Sequence, residues 1–360
     1  MASLVSVGEC HVSRVLVTGG AGYIGSHTVL HLLEAGYEVI VADNLSNSSV
    51  TALERIEELT GKTVDFHQID ILDPTGLFEV FNKYYDPERE TCSIDAVIHF
   101  AGLKAVGESV QEPLDYYHVN VSGTISLLKI MEIFCVTKIV FSSSATVYGH
   151  CATIPIHEGC PLTSLSPYGR TKLFNEQIIE DAMRKVSGQA VILRYFNPAG
   201  AHPSGRLGEH PRGQPNNLMP FIAQVAVGLR PEIQVYGNDY DTSDGTGIRD
   251  YLHVMDLARG HLLALQRMDD YIAPGESRCY NLGTGQGHSV LEMIQTFTMV
   301  TGRKIPHRIV GRREGDVARL VADPARAARE LGFKAELCLE AMCADLWRWQ
   351  SNNPNGYDNN

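Results

Sequence analysis

Three glycines at a three-residue spacing, set between an apolar run and an amphipathic stretch, limit what this chain can fold into. The segment reads Val15-Leu-Val-Thr-Gly19-Gly-Ala-Gly22-Tyr-Ile-Gly25. In a strand–turn–helix context each glycine has a separate physical task. Gly19 permits the tight turn, Gly22 lets the backbone approach a diphosphate, and Gly25 allows the helix to pack closely. The N-terminus of that helix adds unpaired N–H groups and a partial positive charge, a natural seat for phosphate. Asp43 falls at the end of the next predicted strand, where a carboxylate accepts hydrogen bonds from a ribose diol and repels a 2′-phosphate. NAD is therefore the expected cofactor, rather than NADP.

From Arg14 onward, short β-branched runs alternate with longer amphipathic stretches, the pattern of βαβ units around a parallel sheet. Strands are predicted at Arg14–Thr18, Glu38–Ala42, Val64–Ile69, Asp95–His99, Lys138–Ser143 and Ala190–Tyr195. A helix over Tyr23–Ala35 follows from Val29, Leu32 and Leu33 on one face, with Gly36 as the stop. The fold class is α/β, a Rossmann-type doubly wound parallel sheet. A Gly/Pro-rich stretch from Pro198 to Pro215 then breaks the alternation. This predicts an N-terminal extension over 1–13, an NAD-binding domain over 14–197, a smaller C-terminal α/β domain over 198–350 and a loose polar tail over 351–360.

Composition narrows the partners. A net charge of −12 over 360 residues, with no block of like charges, argues against a nucleic-acid surface. No run of about 18 apolar residues could span a bilayer, and Met1–Ser13 has neither the basic start nor the apolar core of a secretory signal. The eight cysteines are scattered, without CxxC pairs or metal-ligand spacing, which fits free thiols in a reducing compartment and no metal. The expected location is cytoplasmic.

Tyr168-Gly-Arg-Thr-Lys172 puts a phenol and an ammonium on one face of a helix that Ser166 can cap and Pro167 can start. A cation near a phenol favours phenolate, so Tyr168 becomes a usable base, with the positive nicotinamide ring assisting. The hydroxyl-rich run Phe141-Ser-Ser-Ser-Ala-Thr-Val-Tyr-Gly149 lies at the C-terminal end of a predicted strand, where open α/β sheets build their sites. There Ser144 can bridge a substrate hydroxyl and Tyr168.

With these motifs in order, the chain resembles the extended short-chain dehydrogenases and, more narrowly, the UDP-glucose 4-epimerases. Five further runs carry the resemblance: Val97–Ser109, Leu193–Gly200, Asn216–Pro220, Gly245–Tyr251 and Arg312–Asp316. It implies that Ser144, Tyr168 and Lys172 are catalytic. It also implies a cofactor site of Gly19, Gly22, Tyr23, Ile24, Gly25, Asp43, Asn44, Phe100, Ala101, Gly102, Lys104, Asn120, Ser142 and Tyr195, with Asp70 and Ile71 meeting the adenine. The nucleotide sugar would be held by Lys104, Asn197, Asn217, Leu218, Gln234, Val235, Tyr236, Arg249, Arg313 and Asp316, with Leu320 facing the substituent on sugar C2. Forked hydrogen bonds from Arg249 and Arg313 suit a diphosphate.

The mechanism implied is reversible oxidation of the sugar at C4. Tyr168 takes the 4-hydroxyl proton, NAD takes the hydride, and the 4-keto sugar turns over and receives the hydride on its other face. A homodimer through the helices near Pro113–Cys135 and Pro167–Arg184 is the family expectation. Two other readings share the motifs. A nucleotide-sugar 4,6-dehydratase would carry an Asp-Glu acid/base pair after the strand-end hydroxyl, where this chain has Ala145 and Thr146. A non-catalytic NAD-binding sensor would have no need of Ser144, Tyr168 and Lys172 together. Relative to the family pattern, Asp86–Cys92 looks like a small insertion.

Overall fold

The computed structural model describes residues 13–358 apart from Pro211, Gln214, Asn216, Glu314 and Gly315. The predicted N-terminal extension, apart from Ser13, and Asn216 of the Asn216–Pro220 run lie outside those residues. So do Glu314 and Gly315 of the Arg312–Asp316 run and the last two residues of the tail.

All six predicted strands form. They are β1 (Arg14–Thr18), β2 (Glu38–Asp43), β3 (Asp65–Gln68), β4 (Ala96–His99), β5 (Lys138–Ser144) and β6 (Gln189–Tyr195). A seventh, β7 (Glu276–Leu282), completes a sheet ordered β7-β6-β5-β4-β1-β2-β3, with every neighbouring pair parallel. The chain reverses its direction of travel across the sheet between β1 and β4, and a crevice opens there at the strands' carboxyl ends. Buried on both faces, the central strands read as nearly continuous apolar runs such as Val15–Val17 and Ile139–Phe141.

Helix α1 (Tyr23–Glu34) buries Val29, Leu30, Leu32 and Leu33 under one face of the sheet. Its C-terminus closes through Ala35 and Gly36, the latter at φ +93° where a side chain would be strained. Helix α2 (Pro167–Val186) lies on the other side, with Ser166 accepting from the Gly169 N–H at 3.1 Å and Pro167 in the first turn, as the Ser-Pro pair predicts.

The boundary predicted at residue 197 is only partly respected. Beyond it, α3 (Val254–Tyr271) packs beside α1 and against β6, and β7 adds to the sheet edge along its whole length. The Gly/Pro-rich segment does interrupt the alternation, but the chain returns to the nucleotide-binding layer after it. Composition marks the interruption and carries no signal for the return, because β7 includes Arg278 and Asn281 and does not read as a buried strand. What remains of the second half is assembled from short pieces: Ile233–Tyr236 beside His307–Val310, and Ile248–Arg249 between His288–Ser289 and Arg319–Leu320.

The tail, predicted to be loose from its polarity, is docked as far as Tyr357. Ser351 and Asn352 finish the helix Leu339–Asn352, Asn353 and Tyr357 are buried, and the Tyr357 hydroxyl donates to the Gly208 carbonyl at 3.1 Å. Two side-chain contacts and a handful of hydrogen bonds suffice to fix a polar segment, and composition does not register them. The insertion at Asp86–Cys92 forms an antiparallel hairpin, Tyr85–Asp86 against Thr91–Cys92.

Candidate active site

The glycine turn is packed to backbone contact. A Cβ on Gly19 would stand 2.7 Å from the Ala101 nitrogen, and one on Gly25 only 2.2 Å from the Gly19 oxygen. Gly22 is the N-cap of α1, carries no side chain to satisfy the helix's first N–H groups, and would bring a Cβ near nothing but the Gly19 carbonyl. The first N–H groups of α1 are therefore left without a side-chain cap, the arrangement a dinucleotide diphosphate requires. These residues fit NAD.

Around the turn, the cofactor residues implied by the family resemblance come together with specific partners. Asp43 ends β2 and accepts from Ala21 N–H at 3.0 Å, Leu45 N–H at 2.9 Å and Ser48 Oγ at 2.7 Å, which ties the glycine turn to the next loop. Asn44 donates to Asp70 at 2.7 Å. The Ile71 side chain, expected at the adenine, is turned inward onto Gly123, so only its backbone can face a ligand there. Phe100 and Ala101 bond through their N–H groups to the Thr18 carbonyl at the end of β1, and Gly102 lies close under the Asn120 amide. Asn120 sits in a π-helical turn, Tyr117–Ser122, and grips Leu103 from both sides, accepting from its N–H at 2.7 Å and donating to its carbonyl at 3.0 Å. Such turns occur often at functional sites because they re-aim one side chain. Tyr23 donates to the Gly200 carbonyl at 2.7 Å, and Lys104 pairs with the buried Glu209 at 2.8 Å. Both contacts join the sheet side of the crevice to the segment beyond residue 197.

Tyr168 and Lys172 lie on one buried face of α2, beside the end of β5. Ser144 Oγ accepts from Thr146 twice, from its N–H at 3.2 Å and its hydroxyl at 3.0 Å. With its acceptor positions used, Ser144 still has its own hydrogen to donate. Burial pushes the Tyr168 phenol up to about 12, and the Ser144 hydroxyl works in the opposite direction. Lys172 Nζ donates to the Ser142 carbonyl at 2.9 Å and stands 5.9 Å from the Tyr168 ring centre. Burial lowers its ammonium to about 8, with Glu176 partly restoring it. In the chain by itself, burial therefore dominates at Tyr168.

Four residues that the sequence reading passed over hold this corner together. Glu176, one helical turn after Lys172, receives Ser143 Oγ at 2.5 Å and a forked pair from Arg194, at 3.0 and 2.5 Å. His99 is held between Thr18 and Thr124 at 2.6 and 3.0 Å. His261 of α3 meets Ser142 Oγ at 3.0 Å. His99 and Arg194 lie within the Val97–Ser109 and Leu193–Gly200 runs without a role assigned there, and the other two have no local sequence signal. Glu176 is a helical carboxylate like any other, and His261 lies among Leu257, Ala258 and Ala264 on an apolar helix face.

The residues proposed for the nucleotide sugar, Lys104 apart, sit on or beside short elements of the second half. Arg249 donates to the Ile248 and Val317 carbonyls, both at 2.9 Å, and pairs with Asp316 at 3.1 Å. Arg313 stacks over the Tyr236 ring at 3.8 Å, and Tyr236 donates to Gln234 at 3.2 Å. Val235 alternates the other way along its strand and is wholly buried in the core, so its side chain takes no part. Asn217 caps the helix Leu218–Ala226 without using its side chain, and Asn197 runs beside Tyr251. Leu320 lies opposite Arg249 in register and packs against the cluster of Ala145 and Phe196, the residues that follow Ser144 and Tyr195. It therefore lines the span between the arginine and the Ser144 hydroxyl.

The comparisons agree on ancestry. Residues 16–346 match the family model described as GDP-mannose 4,6 dehydratase. A UDP-glucose 4-epimerase of Bacillus subtilis is 57% identical over 95% of this chain and 98% of its own, and the human UDP-glucose 4-epimerase is 54% identical over 96% and 98%. The crystal structure of the UDP-glucose 4-epimerase from Bifidobacterium longum, solved with NAD⁺ and UDP, superposes with a TM-score of 0.89 at 51% identity, over 96% of this chain and all of that one. Those relatives match over nearly their whole length. On these grounds the chain belongs to the UDP-glucose 4-epimerase family of extended short-chain dehydrogenases.

Proposed function

We propose that this chain interconverts UDP-glucose and UDP-galactose, holding NAD throughout the cycle. The observation that carries the reading is the buried line Ser144–Tyr168–Lys172 set beside an uncapped glycine turn in a member of this family. Bound NAD supplies a reversible hydride acceptor at sugar C4 and a positive charge beside the phenol. The chain's own residues do the rest. Gly19, Gly22 and Gly25 admit the diphosphate, Asp43 takes the ribose hydroxyls, and Asn120 holds Leu103 at the crevice floor. Lys172 and the cofactor charge offset the burial that raises Tyr168, so that its oxygen can take the 4-hydroxyl proton, with Ser144 relaying between the two. Arg249 and Arg313 neutralise the UDP diphosphate, and Asn197 and Asn217 orient it. Because the sugar is tethered only through that diphosphate, the 4-keto intermediate can present either face to one hydride position.

The family model carries a dehydratase description, but elimination across C5 and C6 needs a carboxyl acid after Ser144, and Ala145 and Thr146 supply none. The second-half pieces from 198 to 350, without α3 and β7, form the sugar-binding unit in this reading. Among the described residues no helix is long and apolar enough to cross a membrane; a cytoplasmic enzyme is the proposal. A homodimer is supported by Leu114 and Phe174, which are 80% and 41% exposed on the two helical segments expected to pair. The decisive assay is incubation with UDP-galactose followed by NMR identification of the sugars. UDP-glucose is expected, at equilibrium and without an added redox partner. A 4-keto-6-deoxy product would mean a dehydratase, and no product would leave a binding protein.

A further inference from the structure

The active-site corner rests on a histidine that belongs to no motif of the site. His261 is fully buried on α3 and has two polar contacts: Nδ1 lies 2.9 Å from the Leu257 carbonyl and Nε2 lies 3.0 Å from Ser142 Oγ. A carbonyl can only accept, so Nδ1 carries the hydrogen and Nε2 presents a lone pair. Ser142 must then donate to it. That fixes the direction of the serine hydroxyl.

The same serine supplies, through its backbone carbonyl, the acceptor for Lys172 Nζ at 2.9 Å. The imidazole also packs on Phe100, with ring centres 4.6 Å apart, and lies 6.1 Å from the Tyr195 ring. One side chain therefore touches three residues around the expected nicotinamide position, and the helix carbonyl behind it cannot rotate. Its burial among apolar groups keeps it neutral, so it adds no charge to compete with Lys172.

We propose that His261 is a positioning residue for the epimerase reaction: through Ser142 it fixes the strand end that holds Lys172 and Tyr195 in register with Tyr168. The proposal rests on the catalytic reading of Tyr168 and Lys172 given above. It predicts that turnover depends on the Nε2 contact and not on the bulk of the ring. Glutamine at this position can extend an acceptor to about where Nε2 lies, whereas asparagine reaches only the Leu257 side.

The test compares wild type, His261→Gln, His261→Asn, Ser142→Ala and the Ser142→Ala/His261→Asn double variant, each purified with its bound cofactor, for kcat and KM on UDP-galactose. His261→Asn is expected to lose about 10- to 100-fold in kcat with KM within about twofold, the scale of a misplaced catalytic group. His261→Gln should return to within about threefold of wild type. Ser142→Ala, which deletes one hydroxyl and tests the contact independently of any folding defect at His261, should match His261→Asn, and the double variant should be no worse than either single one. Wild-type kcat in His261→Asn, equal losses in Asn and Gln, or losses that multiply in the double variant would each overturn the proposal. A wild-type protein inert towards UDP-galactose would instead refute the epimerase reading, and this role of His261 with it.

Discussion

Replacing Gly25 by alanine is the smallest change that should disable cofactor binding. The added methyl would stand 2.2 Å from the Gly19 oxygen and 2.9 Å from the Gly20 Cα, both backbone atoms that no rotamer change can move aside. Since a real Cβ essentially never comes closer than 3.0 Å, the two segments must part by at least about 0.8 Å. Helix α1 cannot retreat freely, because Val29, Leu32 and Leu33 anchor it in the core. The turn must therefore give, straining the Gly22 N–H bond to Gly19 at 3.2 Å and the Gly19 N–H bond to Ala42 at 2.8 Å. A diphosphate on the α1 N-terminus then loses the equivalent of one or two charge-assisted hydrogen bonds, about 3 kcal/mol, or roughly 150-fold in NAD affinity. Calorimetric titration with NAD, together with the NAD released from purified protein by acid, measures this directly. Gly36→Ala is the control. It lies at the other end of α1 with φ +93° and nothing within 4 Å, so left-handed strain should lower Tm by a few degrees and leave NAD affinity unchanged. Wild-type NAD affinity in Gly25→Ala would refute the claim that this turn is packed around the cofactor diphosphate.

Tyr168→Phe deletes the proposed base and almost no volume, so kcat should fall about 10²- to 10⁴-fold while UDP binding stays near wild type, and wild-type turnover in this variant would sink the mechanism. Leu320→Cys opens the span between Arg249 and the Ala145–Phe196 cluster; the kcat/KM ratio of UDP-N-acetylglucosamine to UDP-glucose should rise by about 1–3 kcal/mol, and an unchanged ratio would show that Leu320 does not gate the pocket. Acid should destabilise the fold steeply. Burial lowers His27 and His99 to about 3 and His261 to about 4, so between pH 6.5 and those values the unfolded chain binds protons that the folded chain refuses. Stability is present above pH 6.5 and is lost as pH falls, by up to about 6 kcal/mol from pH 7 to pH 5 for the three together, and equal urea midpoints at the two pH values would contradict it.

Local signals carried most of the fold. The glycine spacing, the alternating apolar runs and the Ser166–Pro167 start are short-range features, and each corresponds to a turn, a strand or a cap in the structure. The same holds for Tyr168 and Lys172, whose spacing alone puts them on one helix face. What could not be read was long-range. β7 and α3 rejoin the nucleotide-binding layer from beyond a segment that looks like a boundary, and the pairing of Glu276–Leu282 with Gln189–Tyr195 is not written in either strand. The Arg194–Glu176 pair and the His261–Ser142 contact join residues far apart in sequence, each of an unremarkable type for its own helix or strand. The balance of charge and burial at Tyr168 also depends on how deeply α2 is packed, which spacing cannot convey.

The central claim is that one hydride leaves sugar C4 and returns to the same carbon from a cofactor that never dissociates. UDP-galactose deuterated at C4 is incubated with the purified protein in ordinary water, without added NAD, until the two sugars reach equilibrium, and deuterium at C4 of the UDP-glucose formed is counted by NMR and mass spectrometry. Full retention of deuterium at C4, with none exchanged to solvent, is the predicted result. Loss of the label in step with turnover would contradict direct return of the hydride.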